Sequence, residues 1–332
     1  MDFDLSEVQA SSKARGRALA RKLDPDAPAS DVIAAAARVG LMEPPIDLMS
    51  AVAATEAMAY ESVSAATTFA LHTVGVLSLA GDDNFSDVIR GEQVAALSLS
   101  SSEEAAVERE RRLSGRAAWV APMTAHGVAI VGARVDGDLA AFAVRLDSTG
   151  VAAEAITTAA LRGLVCSHVV FTNTPCARIG PTTPIMARMR LLISAVGLGM
   201  GRRALREALA TARAAGELNP GPDSGRRAAG EQTVQGLLAD AATELDAGAV
   251  LTWRGASAGT LSLADASMAK LAVTAAAQRA VERATQVVGG MTLEAGQIIE
   301  RLAQDVRALE LFAGRTEALR AAVAEEILPT GN

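Results

Sequence analysis

One stretch limits the possible folds of this chain more than any other. From Asp265 to Leu328 it reads DASMAKLAVTAAAQRAVERATQVVGGMTLEAGQIIERLAQDVRALELFAGRTEALRAAVAEEIL. Two long helical patterns flank Gly289-Gly290, and Phe312-Ala313-Gly314 follows the second. A glycine pair is an ordinary helix stop, and it also lets backbone N–H groups come close to a ligand. Beyond the pair, Ile298, Leu302, Val306 and Leu309 recur at helical spacing, with Glu300, Arg301, Asp305 and Arg307 in the other positions. That pattern predicts an amphipathic helix whose charged side is solvated or turned toward another subunit.

The composition agrees with a helical chain. Half of the 332 residues are apolar, alanine dominates, and only 3% are aromatic. Such sequence suits closely packed helices better than sheets, and its length allows two or three packed units. The net charge is −7, without a basic tract interleaved with aromatics, which argues against nucleic-acid binding. The longest apolar run, Leu191–Gly201, is too short to span a bilayer, and the acidic opening MDFDLSE is unlike a signal peptide. Cys166 and Cys176 lack metal-ligand spacing and suggest a reducing compartment. His72, His126 and His168 are isolated, so no metal site is expected. Neither a Gly-x-Ser-x-Gly elbow nor a GxxxxGK[ST] phosphate loop occurs. These features lead us to expect a soluble, cytoplasmic protein.

Residues 1–97 are predicted to be helical. A polar helix opens at Leu5-Ser6-Glu7 and breaks between Asp24 and Pro28. Ser30-Asp31 stand where an N-cap would, Gly40 ends the next helix, and Pro44-Pro45 mark a loop. One Ala-rich helical pattern then runs from Ile46 to Leu79. Strand-like segments follow at 94–100, 127–135, 139–146 and 168–173, with a hairpin across Asp136-Gly137-Asp138. From Ile185 onward the pattern is helical again, interrupted by a breaker-rich loop at 217–230. Within the first of these helices GLGMG (197–201) is read as small residues that let helices pack closely, not as a phosphate loop.

Helices, then strands, then a helical block resembles the acyl-CoA dehydrogenase family over essentially the whole chain. The resemblance is strongest at 185–213, 231–256 and 265–328. In that family an Ala/Lys-rich helix runs into Gln-x-x-Gly-Gly, then Glu-Arg/Lys-Leu…Arg-Asp, then Tyr-Glu-Gly-Thr. Here the matching residues are Lys270, Gln286, Gly289-Gly290, Glu300-Arg301-Leu302 and Phe312-Ala313-Gly314-Arg315-Thr316. Near the N-terminus, Gly40-Leu41 and His72 match family positions, with His72 read as a polar group on a packed helix. The resemblance implies a mainly α fold with an inserted β domain: an N-terminal helical domain (1–97), a middle β-barrel domain (98–182) and a C-terminal four-helix bundle (183–332).

It also implies a chemistry that can be checked residue by residue. The family removes the α-proton of an acyl-CoA and passes a β-hydride to FAD, which requires a carboxylate against the α-carbon. The usual base is the glutamate of Tyr-Glu-Gly-Thr, and Ala313 holds its place. Other members place it one residue before an arginine of the first C-terminal helix, and beside Arg190 that residue is Met189. Neither accepts a proton, so no catalytic residue is expected here. Glu310 and Glu317 are expected to point away and make surface salt bridges.

The flavin motifs are thinned in the same way. Ser100, in Ser100-Ser101-Ser102, stands at a Thr-Glu-Pro…Gly-Ser-Asp motif, and Glu103 and Glu104 beside it would repel a pyrophosphate. Trp119 matches a tryptophan that packs beside the flavin ring, or alternatively serves as a core residue of the β domain. ELNPGPDSG replaces Arg-x-x-Phe-Gly. Gln232, Gln286, Gly289 and Gly290 remain as residues that would contact an adjacent subunit's FAD, and Gly314 and Thr316 complete the expected cofactor set. The chain therefore resembles the non-catalytic subunit of an α2β2 acyl-CoA dehydrogenase, with a full-length relative supplying the base. The alternatives are an autonomous flavoenzyme with an atypical base and a non-enzymatic acyl-CoA-binding or scaffold protein.

Overall fold

A computed structural model describes residues 4–99, 106–217, 232–294 and 296–328. The chain opens with helices α1 (Glu7–Ala20), α2 (Ala29–Arg38), α3 (Leu48–Glu61), α4 (Val63–Leu79) and the one-turn α5 (Ser86–Ile89). Ser6 and Gln9 form a reciprocal capping box on α1. α2 begins one residue before the expected cap: Pro28 is its N-cap, preset in φ for a helix start, and Ser30 lies inside the first turn. Gly40 closes α2 at φ +71°, as its position suggests.

The expected single helix from Ile46 to Leu79 is two helices. Ser62 adopts an extended conformation, ends α3, and accepts the Ala65 N–H on its hydroxyl to start α4. Periodicity gave no sign of this break because both helices are apolar all round. Nearly every residue from Val63 to Val76 is buried.

Eight strands follow: β1 (Val94–Ser98), β2 (Ala106–Arg109), β3 (Arg112–Val120), β4 (Gly127–Val135), β5 (Asp138–Arg145), β6 (Val151–Ile156), β7 (Cys166–Pro175) and β8 (Ala177–Pro181). They form one sheet in the order β6-β7-β3-β2-β4-β5-β8, with β1 pairing parallel to β4. The β4–β5 hairpin turns where the sequence indicates, with Val135 opposite Asp138. β4 reads as a continuous apolar run because both of its faces are covered. Val128 and Ile130 join the core shared with the helices, while Ala129, Val131 and Ala133 join a second core with Leu113, Phe142 and Phe171. β2, β3, β6 and β8 carry no comparable run, and sequence reasoning missed them.

The C-terminal helices are α6 (Thr182–Glu217), α7 (Gln232–Ser257), α8 (Leu263–Val288), α9 (Ile298–Leu311) and α10 (Thr316–Ile327). α6 crosses α3, α4, α7 and α8, and its small residues allow the close approach. A Cβ on Gly197 would stand 2.8 Å from Val273, one on Gly201 2.5 Å from Leu245, and one on Gly199 would collide with the backbone at Glu56 and Tyr60. GLGMG is thus a packing surface.

α9 corrects one expectation. Ile299, Leu302, Val306 and Leu309 are buried, and so is Asp305, expected on the charged outer face. The Asp305 carboxylate accepts the Leu161 backbone N–H at 2.6 Å and ties the loop between β6 and β7 to α9. Burial raises its pKa, and this hydrogen bond opposes the rise. Beside it, Arg162 bonds Gln304 at 3.0 Å, and Arg301 bonds Asp26. Among the described residues no helix is long and apolar enough to cross a membrane.

Candidate functional site

α8 is the spine on which the expected site residues can be placed. Near its start, two buried cations converge on the turn between α9 and α10. The Lys270 ammonium, on a wholly buried side chain, donates to the carbonyls of Glu310 at 3.1 Å and Gly314 at 3.0 Å. Arg190, on α6 and also buried, donates from Nε to the Ala313 carbonyl at 3.1 Å and from Nη1 to Ser267 Oγ at 2.6 Å. Cations at a helix C-terminus satisfy its last carbonyls and complement its dipole. Burial, and then Arg190, push the Lys270 pKa down to about 8, while Glu310 opposes the shift. In the sequence Lys270 and Arg190 are only landmarks. A lone cation in an alanine-rich helix was the available signal for a buried polar anchor.

The residue held by this clamp is Ala313. It is left-handed at φ +58°, 7% exposed, and part of the main core. Met189 is also 7% exposed and belongs to the same core. Glu317 is exposed. Glu310 departs from expectation: it is half-buried and accepts the Thr316 hydroxyl at 3.4 Å, with no salt bridge among the described residues. With Thr316 and Lys270 it lines a cavity of about 390 Å3. Gly314, at φ +107°, has space beside Arg190, where a Cβ would stand 3.4 Å from Nη2.

The opposite end of α8 is unlike this one. Gln286, Gly289 and Gly290 are exposed, and a Cβ added to either glycine would meet nothing within 4 Å. Gly289 takes φ +74° and stops the helix. Gln286 lies 16 residues beyond Lys270, about 24 Å along the axis at 1.5 Å per residue. The expected cofactor residues therefore fall near both ends of α8: Gly314 and Thr316 beside Lys270, on the turn before α10 and its first residue, and Gln286, Gly289 and Gly290 at the C-terminal end. Gln232, exposed at the start of α7, and Trp119, on β3, lie on other elements. Ser100 lies outside the described residues, as do Ser101 to Glu104 and nearly all of the 217–230 loop.

Trp119 is not a core residue. It is 54% exposed, at φ +55°, within a register shift of the β3–β7 pairing between Ala117 and Val120. Such a bulge re-aims a side chain, here outward and edge-on to the His168 ring at 6.0 Å. His72 is wholly buried; its Nδ1 accepts the Ala95 N–H at 3.0 Å, and burial pushes its pKa down to about 3. It is a neutral packing residue in α4. Burial also raises the thiols of Cys166 and Cys176 to about 11, so neither is an activated nucleophile. Among the described residues no group of three His, Cys, Asp or Glu side chains could hold a metal.

Comparison with known proteins bears on this geometry. Residues 182–328 match the family profile described as acyl-CoA dehydrogenase, C-terminal domain. Human mitochondrial short-chain specific acyl-CoA dehydrogenase is 35% identical over 100 residues, 29% of this chain and 24% of that protein. The pig enzyme is 29% identical over 234 residues, 65% of this chain and 56% of that protein. The chain thus matches between a quarter and just over half of these curated relatives' length. Butyryl-CoA dehydrogenase from Megasphaera elsdenii superposes with a TM-score of 0.85 at 16% identity, covering 99% of this chain and all of that one. A structure described as PigA with FAD and proline gives 0.86 at 19% identity, covering both chains fully. The fold is that of the acyl-CoA dehydrogenases. Within that fold, residues 182–328 are similar to the family's C-terminal domain.

Proposed function

We propose that this chain is the non-catalytic subunit of an FAD-dependent acyl-CoA dehydrogenase, paired with a complete relative in an α2β2 assembly that α,β-dehydrogenates an acyl-CoA thioester. The observation that carries this reading is the fate of the two base positions. Ala313 and Met189 are apolar, packed into the core, and present no carboxylate to a substrate. Removing an α-proton requires a positioned acceptor, so on this reading the partner supplies it.

The residues fit part of a flavin site and not the whole of one. Gly289 and Gly290 leave open backbone that a cofactor could approach beside the exposed Gln286, and Trp119 offers an exposed aromatic face on a different element, β3. FAD, when bound, supplies hydride acceptance. This chain would contribute the end of α8 against a flavin held mainly by its partner. We read the polypeptide as three units, 1–97, 98–182 and 183–332, the last carrying the oligomer and flavin interface.

Co-expression with a full-length relative that retains the Tyr-Glu-Gly-Thr glutamate tests the proposal. The expected result is a yellow complex with dye-linked acyl-CoA oxidation, and a colourless chain when it is purified alone. A stable, flavin-loaded homo-oligomer that oxidises an acyl-CoA unaided would overturn it.

A further inference from the structure

The loop between β6 and β7 joins the N-terminal helices, the C-terminal helices and the sheet. Leu161 donates its N–H to Asp305 on α9 at 2.6 Å, and Arg162 bonds Gln304 on the same helix at 3.0 Å. Gly163 donates to Ser64 Oγ on α4 at 3.4 Å, and it lies so close to Asp26 that a Cβ would stand 3.0 Å from the Asp26 Cα. Val165 then accepts the Met123 N–H at 2.8 Å, just beyond the end of β3.

Two observations single out Asp305 among these contacts. The first is strain. Leu161 is left-handed at φ +51° and only 2% exposed. A bulky residue keeps that conformation only where its surroundings impose it. The Asp305 carboxylate, equally buried, holds the Leu161 N–H, while the Leu161 carbonyl accepts the Leu164 N–H at 2.7 Å. A short hydrogen bond to a carboxylate is stronger than the long Gly163 bond or the exposed Arg162 one. Asp305 is therefore the main restraint on this turn.

The second is where the loop leads. From Leu164 it passes through Val165 into β7, whose Ser167 pairs with Val120 and whose His168 ring stands edge-on to Trp119. The bulge that turns Trp119 outward lies between Ala117 and Val120. Within the sheet, β1 holds the bulge through Ser98 Oγ, which donates to the Ala118 carbonyl at 2.6 Å. On the other side, the Met123–Val165 bond and the start of β7 tie it to the loop.

We propose that Asp305 is a positioning residue for Trp119: by holding Leu161 in its left-handed turn it fixes the start of β7, and with it the outward aim of the tryptophan. Without the carboxylate, Leu161 relaxes toward negative φ, the loop shifts, and the bulge loses its support on that side. Trp119 is held in this way by the chain itself, whatever it meets in an assembly.

Fluorine NMR of the full chain labelled with 5-fluorotryptophan tests this. The chain has two tryptophans, and Trp119→Phe assigns their resonances. Asp305→Ala should move the Trp119 resonance by more than its linewidth and leave that of Trp253, on α7, in place. Asp305→Asn should keep Trp119 where it is in the unaltered chain, because the amide oxygen accepts the same N–H. Asp305→Ser serves where the alanine variant does not fold: its hydroxyl is too short to reach Leu161 and bonds the carbonyl one turn back, as serine does in helices. Hydrogen exchange of the unaltered chain needs no substitution, and there the Leu161 amide and the amides of 118–120 should open with the same free energy. A folded alanine or serine variant with Trp119 unmoved, an asparagine variant as displaced as the alanine one, both resonances moving together, or a Leu161 amide that opens independently of the bulge overturns the proposal.

Discussion

The two ends of α8 differ in what they hold. Near its start, Lys270 is wholly buried and pinned to two carbonyls of the following turn. At its C-terminal end, Gln286, Gly289 and Gly290 face open space. Both ends stand at positions that resemble family motifs, yet only the first is satisfied by this chain itself. A helix whose one end is saturated by its own chain, and whose other end stops at two glycines with open space beside them, has different constraints at each. The first should respond to substitution through stability. The second should respond through association with a flavin-bearing partner, if the proposed function is right.

The largest effect is expected from Lys270→Met. The substitution preserves most of the stem but strands the carbonyls of Glu310 and Gly314 in a buried site. Losing charge-assisted hydrogen bonds there should cost about 2–4 kcal/mol, partly offset by the desolvation that the ammonium no longer suffers. Chemical denaturation of the two proteins measures it. A loss below about 0.5 kcal/mol, the ordinary range for surface substitutions, would remove the clamp from the comparison.

The second effect is a pH dependence with the same origin. The Lys270 pKa is depressed from 10.5 to about 8, chiefly by burial. Between those values the unfolded chain binds a proton that the folded chain does not, so stability rises with pH across that window and the penalty is in full force below it. The contribution is on the order of 3 kcal/mol, and Lys270→Met should flatten it. His72 supplies an acid counterpart. Its pKa is depressed from 6.5 to about 3, so the stability it contributes is present above 6.5 and is lost as pH falls toward 3. Unfolding free energies measured across both windows check these signs.

How much of this was legible beforehand divides along physical lines. β4, the β4–β5 turn and the helix stops at Gly40 and Gly289 were visible because each has a local cause: a doubly covered apolar run, a turn dipeptide, a glycine at positive φ. The Ser62 break, the buried Asp305 and the outward Trp119 were not. Each depends on what another segment brings: the packing around α3 and α4, the N–H of Leu161, and the irregular pairing of β3 with β7. Ala313 was legible as an alanine where the resemblance expects a carboxylate, but its place in the core goes with Arg190 and Lys270, whose bonds to this turn are made to carbonyls and therefore leave no mark in side-chain sequence.

A smaller effect is expected at Gly289. Its φ of +74° disfavours any residue with a Cβ by about 1–2 kcal/mol, so Gly289→Ala should lower stability by that amount although the added methyl meets nothing. The same fall in Gly290→Ala would mean that the turn as a whole, and not the backbone angle of Gly289, sets the cost.

Gly290→Ala is the smallest effect on stability and the sharpest test of the contrast. Gly290 has no positive φ, and a Cβ there encounters no atom within 4 Å, so the unfolding free energy of the chain should stay within about 0.5 kcal/mol. If backbone at this turn approaches a partner's flavin, the methyl occupies the space that approach needs. The assembled complex should then retain less FAD on gel filtration, or release it at lower denaturant, while the isolated chain is unchanged. Full flavin retention by the Gly290→Ala complex would mean that the open end of α8 faces solvent in the assembly, and that the exposure of Gln286, Gly289 and Gly290 reflects a helix stop with no cofactor behind it.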